Sequence, residues 1–138
     1  MSDPTYEGGC LCGAVRFRAT GAPSNPTLCH CRTCRHAAGA PVVAWVSFPR
    51  AGFAFTRGEP ARFRSSPPVE RTFCARCGTP LSYAHDAEAG TIDVTTVSLD
   101  SASELPPHDH TWTSHALPWM RDLDALPHFP ERRTRPID

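Results

Sequence analysis

Between residues 14 and 19 polar and apolar positions alternate, with Val15 and Phe17 on one side and Arg16 and Arg18 on the other. That two-residue period is the mark of a half-buried strand. Similar short runs cover residues 42–48, 53–56, 61–65, 71–73, 81–84 and 92–97, each bounded by Gly, Pro, Ser or Asp. Only two segments read as helical. One is a turn or two after Thr33, and the other is residues 120–125, where Asp122 and Asp124 favour a cap or first turn. The expected architecture is mainly β, with few short helices.

Composition sharpens this picture. The 138 residues make one ordinary domain, large enough for a real core. Fifteen prolines and nine glycines leave little room for long helices. Residues 1–138 are expected to form that single domain, with a loosely ordered tail after about residue 130, rich in Arg and Pro. Formal net charge is zero, so no overall field holds a polyanion or an anionic membrane surface, and nucleic acid is not an expected partner. All 14 basic side chains are arginine and none is lysine. This suits bidentate anion recognition and equally fits a codon bias. The longest apolar run, residues 40–48, is broken by Pro41 and Ser47 and is too short to span a bilayer. Residues 1–9 resemble neither a secretory signal nor a transit peptide, so the expected location is the cytoplasm.

In a reducing compartment, seven clustered cysteines read as metal ligands rather than disulfides. Cys10 and Cys12 form C-x-C; Cys29, Cys31 and Cys34 form C-x-C-x-x-C; Cys74 and Cys77 form C-x-x-C followed by Gly78. In an extended segment residues i and i+2 point the same way, so Cys10 and Cys12 can present both sulfurs to one ion. Cys74 and Cys77 do so through a tight turn that a following glycine permits. Two pairs give four thiolates, a complete tetrahedral zinc site. Cys29, Cys31 and Cys34 remain for a second zinc with an open fourth position; His30 and His36 are the nearest alternative occupants, and His30, between two ligands of C-x-C, faces the other way in extended chain, which leaves His36. Other readings are buried thiols without metal, or a redox-active C-x-x-C that lacks its usual alternation of strands and long helices.

Three motifs then carry a resemblance: G-G-C-L-C-G-A-V-R-F over residues 8–17, C-H-C-R-T-C-R over 29–35, and F-C-A-R-C-G-T-P-L over 73–81. The chain resembles the glutathione-dependent formaldehyde-activating enzyme family, whose domain is shared with centromere protein V. L-P-W at 117–119 and L-P-H-F at 126–129 resemble the family's ending, although His115 stands where many relatives carry a lysine. The resemblance implies packed antiparallel sheets of short strands around two zinc sites. It also implies that Cys10, Cys12, Cys74 and Cys77 bind a structural zinc and Cys29, Cys31 and Cys34 a catalytic one.

A zinc held by three thiolates favours a further sulfur ligand and lowers that ligand's pKa. The expected activity is therefore a carbon–sulfur lyase or thiol–aldehyde adduct former resembling S-(hydroxymethyl)glutathione synthase. Its partners would be glutathione or a similar small thiol and an aldehyde. The alternative is a non-catalytic zinc module of the same fold that binds other proteins. His36, Tyr83, His85 and His115 are the candidate proton-transfer groups, each also readable as a surface or packing residue. Arg32 and Arg35 read either as partners for the thiol's carboxylates or as solvated loop charges. Trp45, Trp112 and Trp119 read as pocket walls or as core.

Overall fold

A computed structural model describes residues 2–137. Along the chain come β1 (Thr5–Gly9), β2 (Arg16–Thr20), β3 (Ser24–Cys29), α1 (Arg32–Ala38), β4 (Val43–Pro49), β5 (Phe53–Arg57) and β6 (Ala61–Ser66). β7 (Val69–Phe73), β8 (Pro80–His85), β9 (Thr91–Thr95) and β10 (Asp109–Thr111) complete the set. Each of the seven alternating runs is a strand. β1, β3 and β10 are additions, and their sequences explain why no period announces them: β1 ends in two glycines, β3 carries Pro26, and β10 has three residues. The C-terminal helical pattern is a 3-10 segment, Pro118–Ala125, with proline in its first turn.

Two sheets result. β1, β2 and β5 form a three-stranded antiparallel sheet, and the other seven strands pair in the order β10-β3-β4-β9-β8-β7-β6. Pairing in the large sheet is antiparallel except at one edge, where β10 runs parallel to β3. β9 and β10 run in the same direction, and the connection from Thr95 to Asp109 passes β4 and β3 to reach that edge.

Side chains alternate across β4 and β9, and the two faces of the large sheet serve different ends. Val46, Phe48 and Val94 project to one face, where they meet Phe17, Ala19, Leu81 and Leu99 in the principal core beneath the three-stranded sheet. Val46, Phe48, Leu81 and Val94 expose no surface, and burial of each such side chain contributes about 1.5–3 kcal/mol. Val43 and Trp45 project to the opposite face and pack with Cys29, Cys34 and Tyr83. This second face is only partly roofed, by α1 and the segment that follows β10. Among the described residues no helix is long and apolar enough to cross a membrane.

Candidate functional site

All seven cysteines are free thiols, and they gather into two sets in which the sulfurs lie within 4.8 Å of one another. The first set is built from two turns. Cys10 and Cys12 lie between β1 and β2, Cys74 and Cys77 between β7 and β8. The C-x-C pair is not extended as its spacing suggested. A turn closes there instead, with the Gly13 N–H on the Cys10 carbonyl at 3.2 Å, and it still leaves the two sulfurs 3.7 Å apart. At the other turn Gly78 adopts φ +84°, and its N–H donates to the Cys74 carbonyl at 2.8 Å. That curl aims the Arg76 and Cys77 N–H groups at Cys74 Sγ, each at 3.4 Å. The side chain of Thr79, then its backbone, pulls the Cys77 thiol down to about 5. Four convergent sulfurs, with Cys10 and Cys74 buried in the principal core, suit a closed tetrahedral zinc site.

The second set sits on the open face of the large sheet. Cys29 ends β3, Cys31 caps α1, and Cys34 lies in that helix's first turn. Extended backbone at Cys31 lets its Sγ accept the Cys34 N–H at 3.2 Å. A hydrogen bond from Cys34 pulls the Cys29 thiol down to about 5, and the same contact pushes Cys34 up. A metal ion bound by these sulfurs would displace their protons. Among the described residues no histidine, aspartate or glutamate joins the three. His36 is exposed on α1. His30 is buried on the other side of Cys29, with Nε2 2.9 Å from His110 Nδ1. Three soft donors fit a zinc ion with one position left over.

Strand register builds the floor beside this set. Arg71 opposes Tyr83, Tyr83 opposes Asp93, and Asp93 opposes Ser47, so one row crosses β7, β8, β9 and β4 on a single face. Ser47 Oγ donates to an Asp93 carboxylate oxygen at 2.6 Å, while burial pushes the Asp93 pKa up. Trp45 packs on Tyr83 with ring centroids 6.0 Å apart. A polar cavity of about 870 Å³ covers this row and is lined by all three cysteines, Tyr83, Asp93 and His115. A second, more apolar cavity of about 720 Å³ lies alongside, walled by Val43, Phe63, Phe73 and Pro80 and touching the cysteine set only at Cys34. Arg71 borders both.

The remaining candidates separate cleanly. Tyr83 and His115 border the polar cavity, His36 borders the apolar one, and His85 is spent on a turn, where Nδ1 accepts the Ala87 N–H at 3.0 Å. Arg32 lines both cavities, whereas Arg35 Nε donates to the His30 carbonyl. Trp45 is both core and cavity wall, Trp112 lines the cavity and packs against His115, and Trp119 lies exposed elsewhere. Arg71 and Asp93 were not singled out from sequence. Their strands were legible, but only the register of β7, β8 and β9 brings them to the cysteines.

Comparisons with known proteins follow the same lines. The profile of a family described as glutathione-dependent formaldehyde-activating enzyme matches residues 5–115. A protein of Schizosaccharomyces pombe named as an uncharacterized lyase is 35% identical over 89 residues, and the match covers 59% of each chain. The chain thus spans well under two thirds of that relative's length. The crystal structure of a Rhodobacter sphaeroides protein aligns with a TM-score of 0.60 at 17% identity, covering 76% of this chain and 99% of that one. At that identity the likeness is one of fold.

Proposed function

Because this chain belongs to the glutathione-dependent formaldehyde-activating enzyme family, we propose that it is a zinc-dependent carbon–sulfur lyase or thiol–aldehyde adduct-forming enzyme. The observation that carries this reading is the inequality of the two cysteine sets. Four sulfurs converge in one, three in the other, and the three open onto the polar cavity. In this reading Cys10, Cys12, Cys74 and Cys77 hold a structural zinc, and Cys29, Cys31 and Cys34 hold the zinc of the active site. Zinc at the three-cysteine set would supply a soft Lewis-acid position where a thiol such as glutathione loses its proton well below its ordinary pKa of about 8.5.

The chain's own residues do the rest. A sulfur–carbon bond forms as the carbonyl double bond of the aldehyde opens, and the thiol's proton finishes on the former carbonyl oxygen; the reverse direction cleaves that bond. Tyr83 and Asp93 face the cavity where this proton must travel. Asp93, its pKa raised by burial, is placed to take and return it. Trp45 closes one wall against water. Confinement of both reactants lowers the barrier by roughly 7 kcal/mol in favourable geometry.

Cobalt in place of zinc tests the reading. Glutathione should strengthen the sulfur-to-metal charge-transfer band, and Cys31→Ser should abolish that response while the four-cysteine spectrum persists. Formaldehyde-dependent loss of free thiol should run faster with protein than without. If no thiol alters the spectrum, the non-catalytic zinc module of the same fold becomes the better reading.

A further inference from the structure

Arg71 is held from three sides and, among the described residues, is paired with no carboxylate. Its Nε donates to Ser65 Oγ at 3.0 Å, its guanidinium carbon lies 5.1 Å from the Tyr83 ring centroid, and Nη2 lies 3.7 Å from Cys34 Sγ. Among the described residues four arginines are paired with carboxylates, Arg16 with Asp100, Arg18 with Glu7, Arg62 with Glu70 and Arg64 with Asp86. Arg71 belongs to none of these pairs. Its Nη1 hydrogens have no partner among the described residues, and its side chain borders both cavities. A guanidinium offers five N–H donors in a rigid plane. Here that plane is already fixed by a ring beneath it and a hydroxyl at its stem, so little side-chain freedom remains to be lost on binding a planar anion.

We propose that Arg71 determines specificity at the open cysteine set, by favouring small thiols with a carboxylate two or three carbons from the sulfur over thiols such as glutathione, whose carboxylates stand further away. The inference rests on the thiol-binding reading above and deepens it. Position sets the spacing: Arg71 touches Cys34, so a carboxylate in its fork stands close to any sulfur that joins Cys29, Cys31 and Cys34. Chemistry sets the class, since the unpartnered Nη1 end of the guanidinium is a charge-assisted donor suited to a carboxylate. Asp93 and Glu88 also line the polar cavity. Asp93 is engaged by Ser47 and shifted by burial toward its neutral form, and Arg32 adds a second positive charge at the border of the two cavities.

Two thiols of matched shape separate this proposal from the reading beneath it. Cobalt-substituted full-length protein is titrated with 3-mercaptopropionate and with its neutral amide, 3-mercaptopropionamide, and the charge-transfer band gives both affinities. The acid should bind at least about 10-fold more tightly than the amide. Arg71→Met should bring the ratio close to one while leaving amide affinity within about 3-fold, and Arg71→Lys should retain only part of the preference. Equal binding of acid and amide by the unaltered protein overturns the role of Arg71 and leaves thiol binding standing. A preference that survives in Arg71→Met does the same. If neither thiol changes the band, the thiol-binding reading falls and this inference falls with it. Should Arg71→Met fail to fold, the unaltered protein and Arg71→Lys still decide the matter.

Discussion

Cys12 Sγ lies 3.8 Å from Cys74 Sγ, although 62 residues separate them in the chain. The contact ties the turn between β1 and β2, in the small sheet, to the turn between β7 and β8, in the large one. A metal at this set closes a loop of that length and favours the folded state. Cys77→Ser should therefore cost several kcal/mol and broaden or abolish the thermal transition. Cys31→Ser, on the open face of the sheet, should remain folded. Melts showing equal damage from the two substitutions would contradict this division between the sets.

Metal content should divide in the same way. Protein purified without added metal should carry about two zinc ions per chain by elemental analysis. A thiol-competing chelator should remove the ion of the three-cysteine set first, because a position open to the cavity admits the competitor, whereas Cys10 and Cys74 are buried in the core. One ion per chain, or simultaneous loss of both, would show that the two sets are not independent sites.

How far the sequence revealed this arrangement depends on which interaction set each feature. β2 was legible because one of its faces is buried and the other is not, β4 because its apolar run is bounded by Pro and Gly although both its faces are covered, and the four-plus-three division of cysteines was legible from spacing. β3 was hidden by Pro26, which removes a ladder donor, and β10 by its shortness. The floor of the cleft was hidden for a different reason. Arg71, Tyr83, Asp93 and Ser47 come from four strands whose register is fixed by long-range pairing, and no local pattern encodes that pairing. Even the C-x-C motif converged by a turn rather than by extension, since Gly13 lets the chain reverse at once toward β2.

The first glycine of the G-G-C-L-C-G motif has a packing reason. A β-carbon on Gly8 would stand 2.4 Å from the Ser98 carbonyl oxygen and 2.6 Å from Phe17 Cζ, so β1 can approach the segment around Leu99 only without one. Gly8→Ala should cost about 1–3 kcal/mol by overpacking. Gly90→Ala, where no atom lies within 4 Å, should be neutral or slightly stabilising. Chemical denaturation of the two variants checks the contrast. Equal effects would mean that the approach of β1 to Leu99 is not the constraint.

Asp93 should make stability depend on pH in a direction set by its surroundings. Burial is the main cause of its raised pKa, and Glu88 and Cys29 add to the shift, while the Ser47 hydroxyl works against it. Tyr83 and, one strand further, Arg71 share its face of the sheet. The folded protein thus keeps this proton to a higher pH than the unfolded chain, whose aspartates titrate near about 3.9. Between that value and the raised folded pKa the native state holds more protons, so stability falls as pH rises through the window. Asn cannot ionise, and its side-chain oxygen can still accept from Ser47. Asp93→Asn should therefore melt at least as high as the unaltered protein at pH 8. That advantage should shrink as pH is lowered through the window and the native aspartate takes up its proton. Because both proteins carry the same cysteines, acid loss of metal affects them alike, and the difference between their melting temperatures reads Asp93. A difference that stays constant from pH 4.5 to 8 would show that Asp93 does not titrate in this window, and its role in moving the reaction's proton would fall with it.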